Sequence, residues 1–206
     1  MTTKARNAQT ALQQLRQLLP TRPLDFSEGC MRAELQAISL LAMQDVTGPF
    51  VPNDVVTSIA RIRVEYVGDL PVSGSAYWDG TYWVIAINSS EPLVRQRFSL
   101  MHELKHIIDH PTRALVTPSP GVTVGEHHER IADYFAASVL MPRSWVKRAW
   151  GSGTQDVATL ARRFNVSTKA MTMRLEHLNL APARQRCPDF QPVAARNPLV
   201  RTGAAA

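Results

Sequence analysis

His102-Glu103-Leu104-Lys105-His106 is the stretch on which the reading of this chain turns. Histidines four residues apart share one face of a helix, so His102 and His106 can bind a single metal ion together. Glu103, beside the first of them, can reach a water activated by that metal and take its proton. Composition alone would give this pattern in roughly one chain of such length in two hundred, so its surroundings have to support it. They do. Residues 95–109 read as a helix with Leu100, Met101, Leu104, Ile107 and Ile108 as an apolar face opposite the two histidines, and Pro111 closes it.

A catalytic zinc of this kind takes two histidines and one carboxylate and keeps a further position open. Downstream, Glu129-Arg130-Ile131-Ala132-Asp133-Tyr134-Phe135-Ala136-Ala137 is again helical in pattern. Ile131, Tyr134, Phe135 and Ser138 fall on one side, and Glu129 and Asp133 fall together on the other. Glu129 is the expected third ligand. Asp133, one turn later, is placed to accept the outer N–H of a zinc histidine, His102 above all, and so fix its tautomer. Glu126, His127 and His128 are rivals for the metal. The two histidines point off that face, and Glu126 lies on it one turn nearer the helix start.

The run Arg97-Phe98-Ser99-Leu100-Met101-His102-Glu103-Leu104-Lys105-His106, followed by Glu129-x-x-Ala132-Asp133-x-Phe135-Ala136-Ala137-x-x-Leu140-Met141-Pro142, resembles the ImmA/IrrE family of intracellular metallopeptidases. The resemblance covers about residues 60–180. It implies His102, His106 and Glu129 as metal ligands and Glu103 as the catalytic base. Two positions depart from the family pattern. Met101 replaces a small residue and Lys105 stands where glycine is common, which bears on fit and substrate approach rather than on ligation.

With 206 residues, 45% of them hydrophobic, the chain can bury a sizeable core without staples. Met1-Thr2-Thr3-Lys4-Ala5-Arg6-Asn7 carries no apolar leader, and no apolar run is long enough to span a bilayer. Cys30 and Cys187 form no metal-type pair and read as reduced thiols, so a cytoplasmic protein is expected. The net charge of +6 is unevenly spread. Residues 1–142 hold 12 Lys/Arg against 14 Asp/Glu, whereas residues 143–206 hold 11 against 3. The basic third invites an acidic partner.

The expected fold is α+β: a zincin-like metallopeptidase core, with a small antiparallel sheet packed on the two site helices, followed by a helix-turn-helix-like pair. Residues 1–50 read as an N-terminal helical segment, 51–150 as the peptidase core, 151–180 as the helix pair and 181–206 as a disordered basic tail. Residues 61–67 alternate as a strand does, and Asp79-Gly80 suggests a two-residue hairpin turn between residues 75–78 and 81–88. Residues 81–88, through Thr81, Trp83, Ile85 and Ile87, are the candidate strand on which a substrate backbone would add. In the helix pair, Asn165-Val166-Ser167 forms the joint, and Lys169, Thr172 and Arg174 would face a DNA groove if the unit bound DNA.

The expected reaction is peptide hydrolysis, with one zinc, or another divalent transition metal, per chain. Glu103 takes a proton from water and passes it to the leaving amine. A further donor must meet the developing oxyanion, and His110, Tyr77, Tyr82 and Arg97 are the candidates. The family resemblance implies a protein substrate, a helix-turn-helix repressor, cut in stress response or in control of a mobile element or toxin–antitoxin pair. No membrane partner is expected. The competing reading is a DNA-binding regulator that uses residues 154–180 and carries a structural or degenerate metal site. Glu103 argues against it, because a structural site has no use for a base.

Overall fold

The computed structural model describes residues 10–180, so the tail expected at 181–206 lies outside the described residues. Thr10 and Asp25 cap the first two helices, α1 (Ala11–Gln17) and α2 (Phe26–Met43), each by accepting a backbone N–H from the first turn. A short α3 (Asp54–Thr57) leads into strands β1 (Ile62–Val67), β2 (Gly74–Trp78) and β3 (Trp83–Asn88). The histidine-bearing helix α4 (Leu93–Asp109) follows, then a 3₁₀ turn (His110–Leu115) and α5 (Val124–Leu140). The last elements are α6 (Arg143–Gly151), α7 (Val157–Phe164) and α8 (Thr168–His177).

The fold is α+β, but the sheet is mixed rather than antiparallel. Its order is β1-β3-β2, with β3 parallel to β1 and antiparallel to β2. Residues 68–73 carry the chain past β3 before β2 returns, and alternation within a strand says nothing about which neighbour it takes. The central place of β3 did leave a trace: Val84, Ile85, Ala86 and Ile87 form a continuous apolar run, buried on both faces. The β2–β3 turn is longer than two residues. Trp78 pairs with Trp83, and Asp79 Oδ1 accepts the backbone N–H groups of Thr81 and Tyr82 at 2.7 and 2.6 Å. That side-chain cap stabilises a four-residue connection, with Gly80 at φ +100°.

Leu100, Met101, Leu104, Ile107 and Ile108 are all fully buried, which confirms the apolar face of α4. One apolar core runs from Leu12 on α1 to Leu178 after α8, and all eight α-helices and the three strands of the described residues contribute to it. The α2 helix packs along α5, and α5 packs on α4. No helix among the described residues is long and apolar enough to cross a membrane.

The α7–α8 joint turns at Asn165 in the left-handed conformation (φ +52°), and Ser167 caps α8. Lys169 and Thr172 are exposed. Arg174, expected to face DNA with them, is 0% exposed. Its Nε donates to the Met141 carbonyl at 2.9 Å and its Nη2 to Glu34 at 3.1 Å. The helical period placed Arg174 on the outer face of α8. The packing of α8 against the end of α5 took Arg174 inward and left Lys169 and Thr172 outside.

Candidate metal centre

Two helices build the site. His102 and His106 stand one turn apart on α4, and Glu129 and Asp133 stand one turn apart on the facing side of α5. His102 Nε2 lies 3.0 Å from His106 Nε2 and 3.1 Å from Glu129 Oε2, and His106 Nε2 lies 3.3 Å from Glu129 Oε1. Behind them, His102 Nδ1–H donates to Asp133 Oδ1 at 2.9 Å. With the proton on Nδ1, the Nε2 lone pair of His102 faces the other two ligand atoms.

This arrangement tests whether a metal fits. The three atoms lie within 4.8 Å of one another, and with both imidazoles neutral each can present a lone pair to the centre. Facing lone pairs at about 3 Å repel unless a proton or a metal cation sits among them, and two imidazoles with one carboxylate suit zinc. Burial would lower the pKa of His102, but the bond to Asp133 and the charges of Glu103 and Glu129 raise it overall. His106 is pushed down to about 4, by burial first and then by its charged neighbour His102. Two imidazole nitrogens and a carboxylate oxygen that converge so closely fit a divalent cation.

The rivals for the third ligand are all engaged elsewhere. Glu126 closes a capping box with Thr123, accepting its backbone N–H at 2.7 Å. His127 is buried, with its ring 5.3 Å from that of Phe26, and His128 lies 2.8 Å from the carbonyl of Arg113.

Glu103 sits beside the cluster on α4. Burial raises its pKa, and the charge of Glu129 acts in the same direction against that of His102. A carboxylate moved toward neutrality is a better proton acceptor for hydrolytic work. Its neighbour is Gly74 at the start of β2. A Cβ on residue 74 would stand 3.1 Å from Glu103 Cγ and 3.2 Å from Ile87 Cδ1. Only glycine leaves that space open, and a glycine at a strand end was the one signal by which the sequence could have marked the residue.

The orientation of α4 is fixed from behind. Lys105 points into the interior rather than toward a substrate, and its Nζ donates to Gln36 Oε1 at 2.8 Å and to Asp109 Oδ1 at 2.6 Å. Arg97, one of the proposed oxyanion donors, is likewise buried. It donates to the Val51 carbonyl at 2.7 Å and to Asn53 at 3.2 Å, and it lies over the Phe50 ring. It is a brace, not a donor.

The other donor candidates divide by sheet face. Since residue 74 faces Glu103, alternation turns Tyr77 to the opposite face. Tyr82 packs with Arg63, whose neighbours Ile62 and Val64 are the residues of β1 that join the core, so it too lies on the far face. His110 alone stays on the site side, its ring 5.0 Å from that of Trp83 at the end of α4. The expected substrate strand must also be corrected. β3 has partners on both edges, and Thr81 lies in the turn before it, so Trp83, Ile85 and Ile87 cannot accept a further strand. The free edge next to Glu103 belongs to β2.

The family model described as IrrE N-terminal-like domain, a peptidase family, matches residues 59–176. Among solved structures, a Mycobacterium tuberculosis transcriptional regulator has a similar fold, with a TM-score of 0.57 at 18% identity. The similarity covers 81% of this chain and 52% of that one, so this chain spans about half the length of the regulator. No curated protein matches the chain.

Proposed function

Because the chain belongs to the Peptidase M78 family of IrrE N-terminal-like domains, a metallopeptidase-like family, we propose that it is a zinc-dependent endopeptidase that makes a limited cut in a protein substrate. The observation that carries the reading is the convergence of His102, His106 and Glu129 within 4.8 Å, with Glu103 beside them on the same helix. These three residues would hold the metal. Bound there, zinc supplies Lewis acidity, polarising a carbonyl and making a water more acidic.

The chain's own residues do the rest. Asp133 holds the His102 Nδ1–H and keeps Nε2 aimed at the centre. Glu103 takes the proton of the attacking water and delivers it to the leaving amine. Gly74 keeps the space that Glu103 occupies. The substrate backbone adds along the free edge of β2, which lays the scissile bond beside Glu103.

The substrate we infer is a helix-turn-helix repressor, in stress response or in control of a mobile element or toxin–antitoxin pair. Family membership and the fold shared with a transcriptional regulator support a regulatory setting. The rival reading, a DNA-binding regulator built on residues 154–180, loses Arg174 to the interior and keeps only Arg162, Arg163 and Lys169 at the surface. The test is incubation of the zinc-loaded chain with a helix-turn-helix protein encoded beside it. One discrete cut, abolished by a chelator and restored by zinc, is expected. An intact partner, together with tight sequence-selective DNA binding, would reverse the choice.

A further inference from the structure

Gly74 and Trp78 mark the two ends of β2, and they meet different surroundings. Gly74 lies against Glu103, while Trp78 pairs with Trp83, whose ring contacts His110 one turn beyond His106. β2 therefore runs from the catalytic carboxylate to a second feature about 13 Å away, the length of four strand residues. That feature is a groove of about 330 Å³ where α1, the entry to β1 and the end of the hairpin come together. Trp78 and Trp83 form one wall, with ring centroids 5.7 Å apart, and Trp78 is 45% exposed.

Arg16 and Arg61 bring the charge, and among the described residues no carboxylate lines the groove. Arg16 Nη2 donates to the Ile107 carbonyl at 2.8 Å, but its buried Nε has no partner among the described residues. Arg61 is exposed and makes no ion pair among the described residues, whereas its neighbour Arg63 is paired with both Glu65 and Asp79. The backbone at Arg61 is also held in the left-handed region, at φ +66°, with its carbonyl accepting from Trp83 N at 2.8 Å. Left-handed backbone favours glycine, asparagine or aspartate over arginine, so the conformation does not account for the charge.

We propose that this groove is a specificity subsite, which takes an acidic side chain of the peptide substrate about four residues from the bond that is cut. The inference rests on the peptidase reading. A peptide laid along the free edge of β2, with its scissile carbonyl beside Glu103, delivers a side chain to the groove at that spacing. Two guanidiniums without an ion pair among the described residues select carboxylate there, and the indole wall takes the apolar stem of a glutamate or an adjoining apolar residue. Residues 1–9 are a poorer occupant, since they carry Lys4 and Arg6 and no acidic residue.

Two measurements on the full chain separate this proposal from the peptidase reading. In the first, binding of a synthetic decapeptide carrying two glutamates is followed by tryptophan emission, against the same peptide with lysines. The glutamate peptide is expected to bind about tenfold tighter at low salt, to lose that advantage as salt is raised, and to lose it also in Arg61→Glu, while Trp78→Ala weakens both peptides. Equal binding of the two peptides, binding of neither, or an advantage untouched by Arg61→Glu would overturn the subsite. In the second, the sites cut in a peptide mixture are sequenced, and Asp or Glu is expected to be enriched about four residues from the cut in the wild type but not in Arg61→Glu. A chain that binds as described and cuts nothing would refute the peptidase reading and leave the acidic-peptide groove standing.

Discussion

Two clusters of charged side chains sit on different sides of α5, and they are built on contrary plans. Asp133 and Tyr134 are neighbours in the chain, yet Asp133 points to the metal centre and Tyr134 to a knot around Glu34. In the knot, one carboxylate is saturated: Tyr134 Oη donates to it at 2.6 Å, Arg143 through two nitrogens at 3.0 and 3.1 Å, and Arg174 at 3.1 Å. Burial would raise the pKa of Glu34, but the bonds from Arg143 and Tyr134 and the charge of Arg174 outweigh it and hold the group at about 2. In the candidate metal centre, the ligand atoms of His102, His106 and Glu129 converge within 4.8 Å of one another. A saturated cluster is a clasp, here fastening α8 and α6 to α2. A cluster of mutual acceptors that the fold nevertheless holds together is the candidate site for a cation.

The sharpest way to break this contrast is Glu103→Gln, which keeps the shape and removes the base. Metal content should stay near that of the wild type while cleavage falls by about 10²–10⁴-fold. Glu129→Ala should do the reverse to the metal, stripping most of it, as read by metal analysis of the same preparations. Cleavage by the Gln variant near the wild-type rate would refute the mechanism.

On the other side of α5, Glu34→Ala leaves Arg174 buried without its counter-charge and should cost about 3–5 kcal/mol of stability, with no direct effect on metal affinity. The clasp also carries a pH signature. The folded-state pKa of Glu34 lies below its ordinary value of 4.5, so its contribution is present above that value and lost as pH falls toward about 2. Denaturant titrations across that window should show a steeper acid loss in the wild type than in Glu34→Gln. Parallel curves would mean that the knot contributes nothing through ionisation.

Smaller effects should follow from parts that only position the base and the ligand. Asp133→Ala is expected to lower metal affinity or activity by about 10–100-fold, and Asp133→Asn should recover part of it. Gly74→Val should cut turnover by up to about 100-fold through displacement of Glu103, with metal content unchanged. Loss of metal in the glycine variant would show that the strand supports the whole helix, not the base alone.

The smallest effect concerns the exposed cations of the helix pair. Replacing Arg162, Arg163 and Lys169 by glutamine should slow cleavage of an intact repressor a few-fold and spare a short peptide that spans the cut, since remote contacts help only a substrate large enough to make them. Equal slowing of both substrates would argue that the pair is merely part of the scaffold.

The sequence alone determined the two site helices and the residues they carry. A helix repeats every 3.6 residues, so the spacing His102-x-x-x-His106 and Glu129-x-x-x-Asp133, read against the apolar positions between them, sets which side chains share a face, and the structure brings those faces together. What only the tertiary structure decided depends on which element lies next to which. The order β1-β3-β2 moved the free edge from β3 to β2, and it revealed Gly74 as the neighbour of Glu103. Docking of α8 on α2 and α5 turned Arg174 from a candidate groove reader into the buried end of a clasp. Local periodicity fixes the direction of a side chain relative to its own element, whereas burial and partnership are properties of the contact between elements, and no window of sequence contains both sides of that contact.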